Sequence, residues 1–307
     1  MEAGDDANFD GYLIGANDVN RLSGLVELLK QHGIDGYRVE RDVETNNKRF
    51  KAGLSYFIPA EQAQYGLIQA IFSTRKDFPD NTFYDVSGWT LPMAFNTQFT
   101  TYRGRISLDD TAWNAPQRDA VSINANAYAL AFDWYDYKAP AMLQALLEQG
   151  VHARQSFKPL HLPTLNGKTA NLSAGSVVVT RAYQNQDWSN VVAAVKNIAE
   201  QQNVTVYSVK TGLTPKGIDL GSRNIQPVKE PSVMMLTGDG VNLYEAGEAW
   251  YYLDRHVGLP LSMVDTDRIS RVDLNRYSHI ILVDGSYYTL SEGEIARLTD
   301  WVRQGGV

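Results

Sequence analysis

The sequence contains no cysteine, so disulfide bonds, thiolate metal sites and cysteine nucleophiles are all excluded from this chain. It also lacks any apolar run near the roughly 20 residues that a membrane-spanning helix needs, and we therefore expect no membrane span. Positive charge is scarce as well, since 28 Lys and Arg face 35 Asp and Glu, a formal net charge of −7. Nucleic-acid grooves need a basic stripe to hold phosphates, and the cations here are scattered, so we expect no nucleic-acid partner.

The 307 residues have an ordinary globular composition, 44% hydrophobic and 21% charged, and are long enough for two or three domains. Their recurrent pattern is a short apolar strand, a polar turn, an amphipathic helix, a second turn and another strand. It first occurs at residues 12–39, where Leu22, Leu25, Val26 and Leu29 form one apolar helix face. We therefore predict an α/β protein of two or three flavodoxin-like or half-Rossmann units with mainly parallel sheets.

Changes in this pattern divide the chain into four segments. Residues 1–120 hold a first α/β unit followed by an aromatic, turn-rich stretch, and residues 121–208 hold a second α/β unit. Residues 209–231 are rich in Gly, Pro and Lys, which predicts a linker. Residues 232–307 then form a last α/β domain.

Three features describe this last domain. The fully apolar residues 280–283 predict a central strand of a parallel sheet. Ser291, with Glu294 three residues later, predicts a capping box at the start of a helix. The sequence stops soon after Gly305-Gly306, where the next strand of a parallel sheet is expected, and this predicts a truncated fold.

The last domain also holds the candidate ligand-binding residues, which are polar and lie near predicted strand ends: Asp239, Asn242, Glu245 and Ser286. Open α/β sheets bind ligands beside the carboxyl ends of their strands. Acidic residues near a helix N-terminus are also ordinary compensation of the helix dipole. Ser286, in Asp-Gly-Ser, is more simply a turn residue than a nucleophile. The glycines before and after Asp239 lack the third glycine of a dinucleotide-binding loop, which favours a plain βα turn.

A third hypothesis concerns the aromatic run at residues 132–137. Trp134 and Tyr135 could stack against a sugar ring, and this interpretation predicts that both side chains are exposed. Buried aromatic residues at a strand edge are the commoner alternative.

Several motifs resemble a known family. AQYGLIQAIF at 63–72, FPD at 78–80 and FYDVSGWTLPMAF at 83–95 resemble the post-catalytic region of large bacterial zinc carboxypeptidases of the M14 type. LTGDGVNLYEAGE at 236–248, ILVDG at 281–285 and WVRQGG at 301–306 are similar to the glutamine-amidotransferase-like domain that ends those proteins. The resemblance covers most of the chain, and the motif at 83–95 is its most specific part.

The resemblance implies that zinc and peptidase activity belong to an upstream domain carrying His-x-x-Glu and a distant second His. No histidine here has Glu at the third position after it, and His32 with Asp35 comes nearest, so we predict no metal site and no cofactor in this chain. Amidotransferase chemistry needs a cysteine, which is absent. We therefore predict no catalytic residues.

The function that the resemblance implies is a non-catalytic accessory region, structural or substrate- or partner-binding, beside its own peptidase domain. It implies an exported or periplasmic protein, with a peptide or small molecule as a further possible ligand. The alternative is a small-ligand-binding or hydrolytic α/β domain that uses a cleft near Asp239 and Ser286.

Overall fold

Residues 9–74, 90–116 and 122–307 are described by the structure, a computed structural model. The chain divides into an N-terminal unit, Met1–Ala120, and a C-terminal unit, Val121–Val307. A five-stranded first sheet forms the centre of the N-terminal unit, and the C-terminal unit contains a five-stranded second sheet and a three-stranded third sheet.

The first sheet is antiparallel throughout, with the strand order β6-β1-β5-β2-β7. Helix α1 joins β1 to β2, and β5 lies between these two strands. This split β-α-β arrangement is that of ferredoxin-like domains, here extended by β7 at one edge. In chain order the elements are β1 (Gly11–Gly15), α1 (Val19–Gln31), β2 (Tyr37–Val39), β3 (Val43–Thr45), β4 (Lys48–Phe50), β5 (Ser55–Pro59), α2 (Tyr65–Phe72), α3 (Leu91–Ala94), β6 (Gln98–Tyr102) and β7 (Leu108–Ala112).

Helix α1 shows how local sequence positions these elements. The Asp18 carboxylate caps its first turn by accepting the backbone N–H groups of Asn20 (2.9 Å) and Arg21 (3.2 Å). Gly33, at φ 66°, turns the chain out of the helix, as its left-handed backbone favours glycine. The predicted apolar face is confirmed, because its four residues are buried: Leu22, Leu25, Val26 and Leu29.

The second sheet repeats the topology of the first. Its order is β13-β8-β12-β9-β14, every neighbouring pair is antiparallel, and α4 joins β8 to β9 with β12 between them. In chain order the elements are β8 (Ala129–Phe132), α4 (Ala139–Glu148), β9 (Arg154–Ser156), β10 (Leu160–Pro163), β11 (Thr169–Leu172), β12 (Val177–Thr180), α5 (Trp188–Gln202), β13 (Tyr207–Val209) and β14 (Ile225–Pro227).

Residues 209–231, interpreted from the sequence as a linker, contribute to the second sheet. They supply β14, and Leu220 and Ile225 are buried in the core on one face of the sheet. The Arg154 guanidinium donates to the carbonyl oxygens of Leu220 (3.0 Å) and Ile225 (2.5 Å). These bonds fix the segment against β9.

The prediction of mainly parallel, flavodoxin-like sheets is wrong for both five-stranded sheets. The hairpins β3–β4 and β10–β11 reverse the chain after β2 and β9, and β5 and β12 then return antiparallel between two parallel strands. A β-α-β sequence pattern is the same whether or not a strand is inserted in this way, so the pattern alone could not reveal it.

The third sheet is parallel, with the order β16-β15-β17. The apolar run at 280–283 predicts a central strand, and the centre of the three strands is β15; β17, which includes Ile280 and Ile281 of the run, pairs with β15 on one side. The capping box at Ser291 and Glu294 is confirmed. In chain order, the elements of residues 232–307 are β15 (Val233–Thr237), α6 (Leu243–Trp250), a π-helix (Tyr251–Val257), β16 (Leu261–Asp265), two 3₁₀ helices (Thr266–Arg271 and Leu274–Arg276), β17 (His279–Ile281) and α7 (Glu292–Arg303).

The outer side of β17 bonds to Val307. The Val307 N–H donates to the Ser278 carbonyl oxygen (3.1 Å), and the Ile280 N–H donates to the Val307 carbonyl oxygen (2.8 Å). This is the hydrogen-bond pattern of parallel strand pairing.

Across residues 9–74, 90–116 and 122–307, no helix reaches the combination of length and hydropathy needed to cross a membrane.

Candidate functional site

Three loops meet at the carboxyl edge of the third sheet, and we call this surface the carboxyl-edge rim. It comprises residues 238–242 after β15, 265–266 at the end of β16 and 284–288 after β17. Val241 and Gly285 form an antiparallel bridge between the first and third of these loops. The Ser286 N–H donates to the Gly240 carbonyl oxygen at 2.9 Å, which holds the loops in one arrangement.

Glycine is required at the centre of this rim. Gly238 and Gly240 have φ angles of 95° and 83°, which L side chains rarely adopt. A Cβ at Gly240 would lie 3.0 Å from the Ser286 hydroxyl oxygen, and one at Gly285 would lie 2.8 Å from the Gly240 carbonyl oxygen. Positive φ and close loop packing therefore account for the glycines without a phosphate ligand.

Asp239 and Ser286 are brought to the same rim. Both residues are exposed, and the Asp239 carboxylate accepts the Tyr288 hydroxyl at 2.8 Å. That hydrogen bond and the negative charge of Asp239 raise the pKa of Tyr288. Sequence reasoning missed Tyr288, which is 67% exposed, because nothing in the sequence pairs it with a residue 49 positions away.

Asn242 and Glu245 lie at the start of α6. The Asn242 side-chain oxygen accepts the backbone N–H groups of Tyr244 (3.0 Å) and Glu245 (3.4 Å), so it caps the helix. Glu245 is exposed in the first turn, where a carboxylate interacts favourably with the helix dipole. These local roles explain both residue types, and a ligand contact by either remains a prediction.

Among the described residues, none is placed as a general base beside the Ser286 hydroxyl. This hydroxyl faces the Gly240 carbonyl oxygen at 3.4 Å, an acceptor that cannot act as a general base. The nearest histidine in sequence, His279, directs Nδ1 to the Ser278 hydroxyl at 2.8 Å. Within the described part of the chain, no group of three or more His, Asp or Glu residues is placed to hold a metal ion.

A cleft of about 800 Å³ lies on the β16 side of the carboxyl edge, between α6 and β16. We call it the α6–β16 cleft. Asp265 stands between the cleft and the rim, and its Oδ1 accepts the Thr237 hydroxyl at 3.2 Å. Two arginines of the 3₁₀ helix after β16, Arg268 and Arg271, also line the cleft. The other lining residues are Thr237, Leu243, Ala246, Gly247, Trp250, Met263, Val264 and Val272.

Sugar stacking by Trp134 and Tyr135 required both side chains to be exposed, and this is wrong for Trp134. Trp134 is half-buried and packs against the apolar core of the second sheet. A Cβ at Gly175 would lie 2.8 Å from its ring, so the indole covers this glycine closely. Tyr135 is 54% exposed.

The motifs behind the carboxypeptidase resemblance are described in part. Residues 78–80 and 83–89 lie outside the described residues, whereas 63–72 include α2. No protein-family model, curated protein or solved structure matches this chain. The assignment to the carboxypeptidase family therefore stays a prediction from the motifs.

Proposed function

We propose that this chain is a non-catalytic accessory region of a zinc-carboxypeptidase-like protein, and that it binds a peptide or small molecule at the carboxyl edge of its third sheet. The accessory role rests on the sequence motifs at 63–95 and 236–306. The binding role rests on the geometry of the third sheet. Its single main support is the convergence of three strand-end loops on Asp239, whose carbonyl oxygen lies 3.4 Å from the Thr266 hydroxyl and whose carboxylate accepts the Tyr288 hydroxyl.

The rim has the features of a binding edge in an open parallel sheet. Ligands of such sheets lie outside the carboxyl ends of the strands, where loops supply the polar contacts. Here the loops after β15 and β17 are fixed to each other by backbone bonds. The exposed Asp239 carboxylate and Tyr288 hydroxyl are therefore held in place before a ligand arrives, which lowers the entropy cost of binding.

The test starts with a thermal-shift panel of amino acids, short peptides, sugars and nucleotides on the full chain, followed by calorimetric titration of the best ligand. We expect a ligand whose affinity falls at least about tenfold in Asp239→Asn, since a hydrogen bond to a charged group contributes about 1.5–3 kcal/mol. Asparagine retains an oxygen that can accept the Tyr288 hydroxyl, so the rim keeps its shape.

The matched control is Glu292→Gln, which removes one exposed carboxylate from the first turn of α7, outside the rim. Its ligand affinity should be that of the unmodified chain. A panel without ligands, or a ligand equally sensitive to Glu292→Gln and Asp239→Asn, would contradict the binding role. Peptide hydrolysis by this chain, dependent on added zinc and stopped by a chelator, would contradict the non-catalytic role.

A further inference from the structure

The α6–β16 cleft combines exposed positive charge with an apolar wall. We infer that it binds an amphiphilic anion, meaning a single carboxylate or phosphate head group that carries an apolar chain or ring. The inference rests on the proposed binding function and extends it, because it assigns a ligand class to the β16 side of the carboxyl edge.

The two arginines lie on one face of a short helix. A 3₁₀ helix has three residues per turn, so side chains at i and i+3 lie one above the other. Arg268 and Arg271 have this spacing in the 3₁₀ helix Thr266–Arg271, and both line the cleft. Thr266 and Ile269 have the same spacing and are each 1% exposed, which fixes a neighbouring face of the helix, about 120° around its axis, in the protein interior. The buried pair thereby determines which way the arginines face.

A third arginine holds this helix in position. The Arg297 guanidinium, from α7, donates to three carbonyl oxygens at the end of the 3₁₀ helix: those of Ile269 (3.2 Å), Ser270 (3.1 Å) and Val272 (2.7 Å). These bonds anchor the helix end to α7. A fixed backbone lets Arg268 and Arg271 meet a ligand with less loss of conformational freedom.

The charges of these two arginines are only weakly compensated by the described residues. Arg268 lies 4.0 Å from the Asp267 carboxylate, and both side chains are more than 70% exposed. Ion pairs this exposed contribute little to stability, so a ligand anion can compete for the Arg268 guanidinium. Arg271 forms no ion pair with the described residues. Guanidinium groups bind carboxylate and phosphate through paired N–H donors, so an anion is the complementary head group.

The wall of the cleft is apolar. Residues 243, 246, 247 and 250 of α6 line it at the spacing i, i+3, i+4 and i+7, which is one face of a helix. They are Leu, Ala, Gly and Trp, and Met263 and Val264 of β16 also line the cleft. Leu243 is 71% exposed and Met263 is 55% exposed, so an apolar chain or ring would cover surface that is now open to water.

The size of the cleft and the charge of Asp265 at its polar end limit the class of ligand further. A volume of about 800 Å³ lies in the range of small-molecule sites, about 300–1,000 Å³. Asp265, also in the lining, disfavours a second negative charge beside the strand end. One anionic head near the arginines, with an apolar body along α6, matches this distribution.

Calorimetric titration of the full chain with octanoate, octan-1-ol and acetate tests the inference directly. We expect octanoate to bind at least tenfold more tightly than octan-1-ol, which lacks the charge, and than acetate, which lacks the chain. Octyl phosphate distinguishes the two head groups, because tighter binding than octanoate indicates a phosphate site and weaker binding a carboxylate site. Equal binding of octanoate and octan-1-ol, or no octanoate binding at millimolar concentration, would overturn the inference.

Four variants test the location of the site. Arg268→Gln and Arg271→Gln should each weaken octanoate binding at least fivefold, whereas Arg276→Gln, an exposed arginine outside the cleft lining, should leave it unchanged. Gly247→Leu should abolish binding by filling the cleft, since no atom lies within 4 Å of a Cβ built there and leucine favours the helix. Equal effects of all three arginine variants would also overturn the inference.

The outcomes separate this inference from the proposed function. If octanoate does not bind but a panel ligand depends on Asp239, the inference is wrong and the proposed rim function stands. If neither octanoate nor any panel member binds, both are wrong.

Discussion

The first and second sheets have the same strand order and nearly the same turn chemistry, although their sequences share little. After the first helix of each, a glycine with positive φ and the residue that follows it donate their backbone N–H groups to carbonyl oxygens of the last helical turn. The bonds are Gly33 to Lys30 (3.0 Å) and Ile34 to Leu29 (3.2 Å) in the first unit, and Gly150 to Leu147 (2.8 Å) and Val151 to Leu146 (3.0 Å) in the second.

A glutamine occupies the same place in both units. Gln62 and Gln184 each accept one backbone N–H through Oε1 and donate through Nε2 to two carbonyl oxygens, joining the start of one strand segment to the end of another. The Gln62 partners are Asp35 N (2.7 Å), Asp35 O (3.1 Å) and Pro59 O (2.7 Å), and the Gln184 partners are His152 N (3.0 Å), His152 O (2.8 Å) and Thr180 O (3.0 Å).

We call this set of three hydrogen bonds, made by Gln62 in one unit and Gln184 in the other, the glutamine bracket. The comparison shows that the strand order, the helix end and the glutamine bracket belong to one structural unit that occurs twice. The short likeness between residues 28–34 and 146–151 in the sequence falls on the shared helix end. The units differ in the first turn of the first helix and in the bonds of the arginine that holds the edge strand, which is β7 in the first unit and β14 in the second. Matched substitutions at equivalent positions can therefore show whether the two copies depend on the same contacts.

The largest effect is expected at the buried leucines of the helix end. Leu29 and Leu146 are both 0% exposed, and truncation to alanine should cost about 2–5 kcal/mol in its own unit, because a cavity is left in a packed core. Region-resolved amide hydrogen exchange on the full chain measures each loss. Leu67→Ala, on the exposed side of α2, is the control and should stay within about 0.5 kcal/mol. Losses that differ by more than about 2 kcal/mol would show that the two cores are not equivalent.

The next effect is expected at the bracket. Gln62→Ala and Gln184→Ala each remove three hydrogen bonds to the backbone, and we expect a loss of about 1–3 kcal/mol in each unit. Exchange of the amides at Asp35 and His152 should rise first, since these N–H groups lose their acceptor. Gln31→Ala, whose amide bonds the exposed Glu27 side chain, serves as the control. A response in one unit alone would mean that the bracket stabilises only that copy.

The elements of these units were largely predictable, whereas their sheets were not. The helix with Leu22, Leu25 and Val26 on one face could be predicted because its signals lie within a few residues of each other. Strand direction in the sheet depends on where β5 and β12 insert, and that choice is made by contacts far apart in the sequence. The strand β14 within segment 209–231, interpreted as a linker, was missed for a related reason. Gly and Pro mark turns whether or not a strand lies between those turns.

At the candidate site, sequence reasoning located the edge but not the contacts. Asp239 and Ser286 could be placed together because strand ends of a parallel sheet share an edge. Tyr288 pairs with Asp239 across 49 residues, which no local pattern shows. Arg268 and Arg271 were missed because their common face depends on the three-residue turn of a 3₁₀ helix, a geometry without a strong sequence signal.

The helix starts provide a smaller and asymmetric test. Asp18 caps α1 through its carboxylate, whereas Lys138 precedes α4 without a side-chain cap bond. Asp18→Ala should cost about 1 kcal/mol in the N-terminal unit, and Lys138→Ala should change the C-terminal unit by less than about 0.5 kcal/mol. Asp18→Asn keeps the capping oxygen and should recover most of the loss. Equal effects of Asp18→Ala and Lys138→Ala on region-resolved exchange would contradict the assigned cap.

The smallest loss of stability is expected at acidic pH, at the arginines that hold the edge strands β7 and β14. Arg38 pairs with the Asp109 carboxylate of β7 (2.5 Å), whereas Arg154 donates to carbonyl oxygens, which do not titrate. The Asn114 amide, a backbone N–H and Arg38 lower the pKa of Asp109 from its ordinary value of 3.8.

A lowered pKa in the folded chain means that the unfolded chain takes up the proton first as the pH falls. The stabilisation from Asp109 is therefore complete above the ordinary carboxyl range and is lost as the pH falls through the lowered pKa. Amide exchange in β2 and β7, corrected for its intrinsic pH dependence, should accelerate in acid more than exchange in β9 and β14. Asp109→Asn should remove that difference between the sheets, since asparagine carries no titrating carboxyl. A difference that persists in Asp109→Asn would place the acid sensitivity on another carboxylate of the N-terminal unit.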